Sequence, residues 1–165
     1  MEGIPARKPN RLEGYDYSSA GYYFVTICTK DRREFLGLVV GAATCRPRVD
    51  LTDIGREVDV SINKIHGAYP HISVDKYVIM PNHIHMILCF AYGMEGRQVA
   101  APTTTLQNVI GNMKRNVSMQ LGFSIWQKSF HDHVIRNHDD YALIWQYVDE
   151  NPARWHEDCF YPKQQ

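Results

Sequence analysis

Apolar positions recur along this chain with two periods, and the alternation between them predicts the order of its elements. Residues 21–29 read Gly-Tyr-Tyr-Phe-Val-Thr-Ile-Cys-Thr, a β-branched and aromatic run that predicts a strand. Leu36–Val40 predicts a second short strand, followed by a loose stretch to Val49. Ile54, Val58, Ile62 and Ile65 then fall at spacings of four, four and three, which predicts a helix opening at Thr52 or Asp53. Tyr69-Pro70 stops it. Residues 72–80 and 83–90 predict a hairpin about the turn Pro81-Asn82, and residues 91–102 a loop. Threonines 103–105 offer a cap for a helix whose apolar face is Leu106, Ile110, Met113 and Val117, ending at Gly122. Residues 129–135 alternate as a further strand. Asn137 can cap a last long helix running to about Asn151, where Pro152 ends it or starts another. Tyr141, Ile144, Trp145 and Val148 are its expected packing stripe, and Trp126, Trp145 and Trp155 are expected in the core.

The order strand, helix, strand, strand, helix, strand, helix suits an α+β fold: a ferredoxin-like antiparallel sheet packed with helices. Its 165 residues predict one domain, residues 21–165, preceded by an irregular basic arm over residues 1–20. Neither an apolar run of membrane-spanning length nor a signal-peptide core is present, so a cytoplasmic location and no membrane partner are expected. The cysteines Cys28, Cys45, Cys89 and Cys159 are far apart, which argues against a zinc ribbon or a disulfide framework. Buried, reduced thiols are expected.

The formal net charge is zero, unlike the basic excess usual in nucleic-acid binders. The distribution is uneven: residues 1–136 hold 16 of the 18 basic side chains and 12 of the 18 acidic ones. A basic face is compatible with that split, though with modest affinity for bulk DNA.

His83-Ile84-His85 is the first candidate for chemistry. Side chains alternate along a strand, so the two imidazoles share one face, about 6.6 Å apart along the backbone. Two such rings can chelate one cation. The pattern alone is weak, because His131-Asp132-His133 repeats it and a hydrogen-bonded strand histidine explains either pair equally well. Tyr147 and Asn151 are the second candidate, four residues apart and hence on one helical face. Together they make chemical sense. A phenol is a sluggish nucleophile at neutral pH, a divalent cation on the scissile phosphate makes its attack feasible, and a phosphotyrosine stores the bond for rejoining without ATP. The amide oxygen of Asn151 suits a hard cation such as Mg or Mn.

These segments carry a resemblance. Tyr77-Val78-Ile79-Met80-Pro81-Asn82-His83-Ile84-His85-Met86-Ile87-Leu88 resembles the histidine-hydrophobe-histidine strand of the small single-tyrosine insertion-sequence transposases, and more particularly of the REP-associated tyrosine transposases. Ile125-Trp126-Gln127-Lys128-Ser129-Phe130-His131-Asp132-His133-Val134-Ile135-Arg136-Asn137 is similar to the segment before their catalytic helix. Tyr147-Val148-Asp149-Glu150-Asn151-Pro152 resembles the end of that helix. The matches fall in family order and cover most of residues 17–155. The resemblance implies a metal site of His83, His85 and Asn151, the nucleophile Tyr147, and transesterification of single-stranded DNA through a 5′-phosphotyrosine. It also implies hairpin or palindromic partners, with Arg7, Lys8 and Arg11 as candidates to read the stem foot. His131, His133 and Arg136 are candidate DNA contacts, although for the histidines a hydrogen-bonded structural role is the more common reading. Lys30, Arg32, Arg33, Lys114 and Arg115 are candidate phosphate contacts or plain surface charge. Either a monomer or a homodimer is compatible with the sequence. The rival readings are a catalytically silent hairpin-binding protein, a metal-dependent phosphodiesterase in which water attacks, and an α+β domain whose His-x-His is accidental.

Overall fold

The computed structural model describes residues 12–41, 46–91 and 104–162. Its strands are β1 (Gly21–Cys28), β2 (Gly37–Val40), β3 (Arg48–Leu51), β4 (Ile72–Ile79), β5 (His83–Phe90) and β6 (His131–Ile135). Its helices are α1 (Asp53–Asn63), the single turn α2 (Ile65–Ala68), α3 (Leu106–Leu121) and α4 (His138–Glu150), followed by a 3₁₀ segment, Asn151–Glu157. β4, β5, β1 and β6 lie in that order in one antiparallel sheet. With α1 between β1 and β4 and α3 between β5 and β6, the chain is a βαββαβ unit with the expected ferredoxin-like arrangement. β2 and β3 form a separate hairpin inserted before α1.

The three longer helices, α1, α3 and α4, each start at a side-chain cap. The side chains of Thr52, Thr105 and Asn137 accept hydrogen bonds from the backbone N–H of Gly55, Asn108 and Asp140, satisfying donors that the first turn leaves unpaired. α3 stops at Gly122, which is left-handed at φ 77°, a conformation that costs glycine little. α1 packs close against the inserted hairpin: a Cβ on Gly55 would stand 1.9 Å from the carbonyl oxygen of Leu36. The predicted helix from Thr52 to Tyr69 is interrupted at Lys64.

The main core lies on one face of the sheet. Tyr23, Val25 and Ile27 of β1 stand in register with Leu88, Met86 and Ile84 of β5, and Val58, Ile62, Val109, Ile110, Met113 and Val117 of α1 and α3 cover them. On the opposite face the register sets Cys28 beside His83 and Thr26 beside His85, and α4 with its 3₁₀ extension covers this side. Three expectations change here. Trp145 is 39% exposed rather than core, because α4 buries only Val148 outright and Trp145 instead lies over the ammonium of Lys76, 4.0 Å from its ring centre. The stretch to Val49 contains part of a strand, β3. Cys28 is buried as expected, but Cys89 is half-buried and Cys159 exposed, and Cys45 lies outside the described residues. Among the described residues no helix is long and apolar enough to cross a membrane.

Candidate active site

The Pro81-Asn82 turn and β5 carry the two histidines into the space between sheet and α4. His83 and His85 are 0% and 1% exposed, and their ring centres are 4.4 Å apart. Each imidazole is held at Nδ1: His83 lies 2.9 Å from Asn82 Oδ1 and His85 lies 2.9 Å from Thr26 Oγ1. Phe24 stacks on His85 at 5.3 Å. Burial pushes His83 down to about 3, the Arg32 guanidinium acting the same way and Asn151 opposing it. Burial, then the neighbouring His83, holds His85 well below the usual imidazole range. Both rings are therefore neutral at pH 7, the form that binds metal.

α4 brings Tyr147 to this pair from its own chain. The Tyr147 hydroxyl is 3.2 Å from His85 Nε2 and donates at 3.4 Å to Asp158 Oδ2. Tyr147 is 40% exposed while the imidazoles are sealed, so the tyrosine meets solvent and the histidines do not. Burial, followed by the charge of Asp158, raises Tyr147 to about 12. One turn on, Asn151 Nδ2 donates to Asp158 Oδ2 at 2.9 Å. Asn151 Oδ1 and His83 Nε2 are both buried with no hydrogen-bond partner among the described residues.

Asp158 was not foreseen from the sequence. It follows the 3₁₀ segment, and ligand atoms of His83, His85 and Asp158 all lie within 4.8 Å of one another. Two neutral imidazoles, a carboxylate and an orphaned amide oxygen form a mixed nitrogen–oxygen donor set, which fits a divalent cation. The same turn brings Phe160 over the rings, 4.5 Å from His83 and 6.0 Å from His85. Arg32 fastens the turn, donating to the Cys159 carbonyl at 3.1 Å and lying 5.0 Å from the Phe160 ring.

The other predicted residues are dispersed. His131 and His133 share the histidine face through their register with Thr26 and Phe24, and His133 Nε2 is 2.8 Å from Asp140. Arg136 is exposed just beyond β6 and Lys30 just beyond β1, while the Arg33 guanidinium lies over Phe35. Lys114 and Arg115 sit on α3, against the opposite face of the sheet. Arg115 is exposed, whereas the Lys114 ammonium turns inward to the carbonyls of Gln127, Lys128 and Ser129 at 2.6, 3.4 and 3.5 Å. Arg7, Lys8 and Arg11 lie outside the described residues.

No protein-family model matches the chain. An uncharacterized Haemophilus influenzae protein is 29% identical over 176 residues, covering 96% of this chain and 95% of the relative. A second protein of that organism, named "Putative REP-associated tyrosine transposase", is 24% identical over 145 residues, covering 84% of this chain and 74% of its own. Among solved structures, a REP-associated tyrosine transposase bound to a REP hairpin superimposes with a TM-score of 0.65 at 23% identity, over 88% of this chain and 73% of that one. Its fold is thus that of a transposase, and the chain resembles the REP-associated tyrosine transposases in both sequence and fold.

Proposed function

We propose that this protein cuts and rejoins single-stranded DNA beside hairpin-forming repeats, using Tyr147 as nucleophile. The observation that carries this reading is the convergence of the Tyr147 hydroxyl, 3.2 Å from His85, with a fitting set of cation donors. His83 and His85 would hold the cation, Mg or Mn, with Asp158 or Asn151 completing the set. When bound, the cation polarises the scissile phosphate. The phenol is protonated at neutral pH, so it needs an acceptor, and the Asp158 carboxylate to which it already donates supplies one. The Tyr147 oxygen forms a bond to phosphorus, the bond from phosphorus to the 3′ oxygen breaks, and that oxygen leaves as a 3′-hydroxyl after taking up a proton. Attack by a 3′-hydroxyl on the phosphotyrosine reverses the step and rejoins the strand. The fold and the hairpin-bound neighbour support a DNA-hairpin partner, and His131, His133, Arg136 and Lys30 are the described side chains on or near this face that suit phosphate contact.

The sealed histidines favour a second reading, a hairpin-binding protein that does no chemistry. Denaturing gels of labelled hairpin oligonucleotides with manganese separate the two. A covalent adduct lost in Tyr147→Phe and in His83→Ala supports transesterification. Hairpin binding without any adduct supports the silent reading, and cleavage without an adduct points to a hydrolase.

A further inference from the structure

Asn82 is fully buried at the hairpin turn, and its three hydrogen bonds leave its side chain one orientation. The amide nitrogen donates to two carbonyl oxygens, that of Arg32 at 3.2 Å and that of Phe160 at 2.9 Å. A carbonyl oxygen can only accept, so Nδ2 must face both and Oδ1 must face His83 Nδ1, 2.9 Å away. An amide oxygen also can only accept. The proton of the neutral His83 ring is therefore on Nδ1, and Nε2 carries a bare lone pair. That Nε2, like Asn151 Oδ1, is buried with no hydrogen-bond partner among the described residues, and His83 belongs to the group of potential ligands shared with His85 and Asp158.

We infer that Asn82 is a positioning residue that fixes the tautomer of His83, so that Nε2 is presented to a divalent cation. This inference rests on the cation-centre reading of the same site. The contrast with His85 is instructive. Its partner Thr26 has a hydroxyl that donates or accepts with equal ease, so it orients the ring without choosing the tautomer. Only Asn82, with its own nitrogen committed to two carbonyls, imposes one. The backbone that offers the Arg32 carbonyl is itself unusual: Asp31 and Arg32 both take left-handed φ angles, 55° and 52°, a conformation non-glycine residues seldom adopt.

Nitrogen-15 correlation spectra of the metal-free protein at neutral pH read the tautomer directly. The expected result is His83 with its proton on Nδ1. A proton on Nε2 would overturn the inference. Manganese affinity, measured by calorimetry, supplies the second readout. Asn82→Leu removes the acceptor and is expected to weaken manganese binding roughly 10- to 100-fold. Asn82→Asp keeps an acceptor for His83 but sets a carboxylate oxygen against two carbonyls, so it should lower stability while holding the tautomer and the affinity. A merely structural role would reduce affinity in both variants alike, and would refute the idea. If either variant fails to fold, the wild-type spectrum still decides. An Nδ1 proton with no manganese binding by the wild-type protein would instead overturn the cation centre itself.

Discussion

Phe160 closes the site, and truncating it should open it. His83 and His85 are 0% and 1% exposed, so the proposed reaction needs an opening that admits a DNA phosphate, and the Phe160 ring is part of what covers the pair. The strength of the closure follows from what the ring touches. A half-buried phenylalanine contributes about 1 kcal/mol through apolar burial. Its contact with the His83 ring at 4.5 Å and with the Arg32 guanidinium at 5.0 Å adds about 0.5 kcal/mol each. Phe160→Ala therefore removes roughly 2 kcal/mol from the closed state, about a 30-fold gain in the open population. The backbone bonds of the turn, Asn82 Nδ2 to the Phe160 carbonyl and the Phe160 N–H to Asp158 at 2.7 Å, survive the change. Where opening is a fast equilibrium before chemistry, the rate of adduct formation rises by that factor. The assay is single-turnover adduct formation on a hairpin oligonucleotide with manganese, alongside hydrogen exchange at the amides of residues 158–161. A variant that folds, exchanges faster at these amides and yet forms adduct no faster would refute the reasoning.

Stability in the absence of metal should depend on pH through His83. The unfolded imidazole takes a proton near 6.5 and the folded one only near 3, so the unfolded chain binds more protons between these values. Unfolding free energy then falls as pH drops below 6.5, by up to about 1.4 kcal/mol per pH unit from this group. Urea titrations in EDTA from pH 7 to 5 should show the decline, shallower in His83→Gln; equal slopes would contradict the burial argument. Lys114→Met should lower stability by about 1–3 kcal/mol, because three carbonyls lose their charged donor. Hairpin affinity should be unchanged, and a binding defect with intact stability would assign Lys114 to DNA instead. Gly55→Ala should cost about 3 kcal/mol by pushing α1 off the Leu36 carbonyl, lowering Tm by roughly 6–12 °C. A thermal melt that does not move would mean that the hairpin and helix separate freely.

What could be read in the sequence was whatever leaves a local signal. The caps at Thr52, Thr105 and Asn137, the apolar stripes of α1 and α3, and the alternation that sets His83 and His85 on one face are written into short windows. β3 was missed because Arg-Val-Asp-Leu alternates exposed and half-buried positions in a two-stranded hairpin, with no strong burial to mark it. Trp145 was assigned to the core because helical spacing groups it with Val148, but a helix lying on one sheet face buries a narrower stripe than its apolar residues suggest. Asp158 and Phe160 left no signal. They join the site only because the chain turns back after the 3₁₀ segment, a tertiary event that periodicity does not record. Asn82 read as a turn residue, and its three hydrogen bonds depend on the Lys30–Arg32 turn and on the Phe160 carbonyl meeting it.

The central claim is that Tyr147 joins itself to DNA, and mass spectrometry of a trapped complex tests it most directly. The protein, manganese and a single-stranded hairpin oligonucleotide would be reacted, then digested with nuclease and protease. The account predicts a nucleotide attached through its 5′ phosphate to the tyrosine of the peptide containing Tyr147, absent when manganese is withheld. A phosphorylated nucleotide on any other residue, or cleaved DNA with an unmodified Tyr147 peptide, would contradict it.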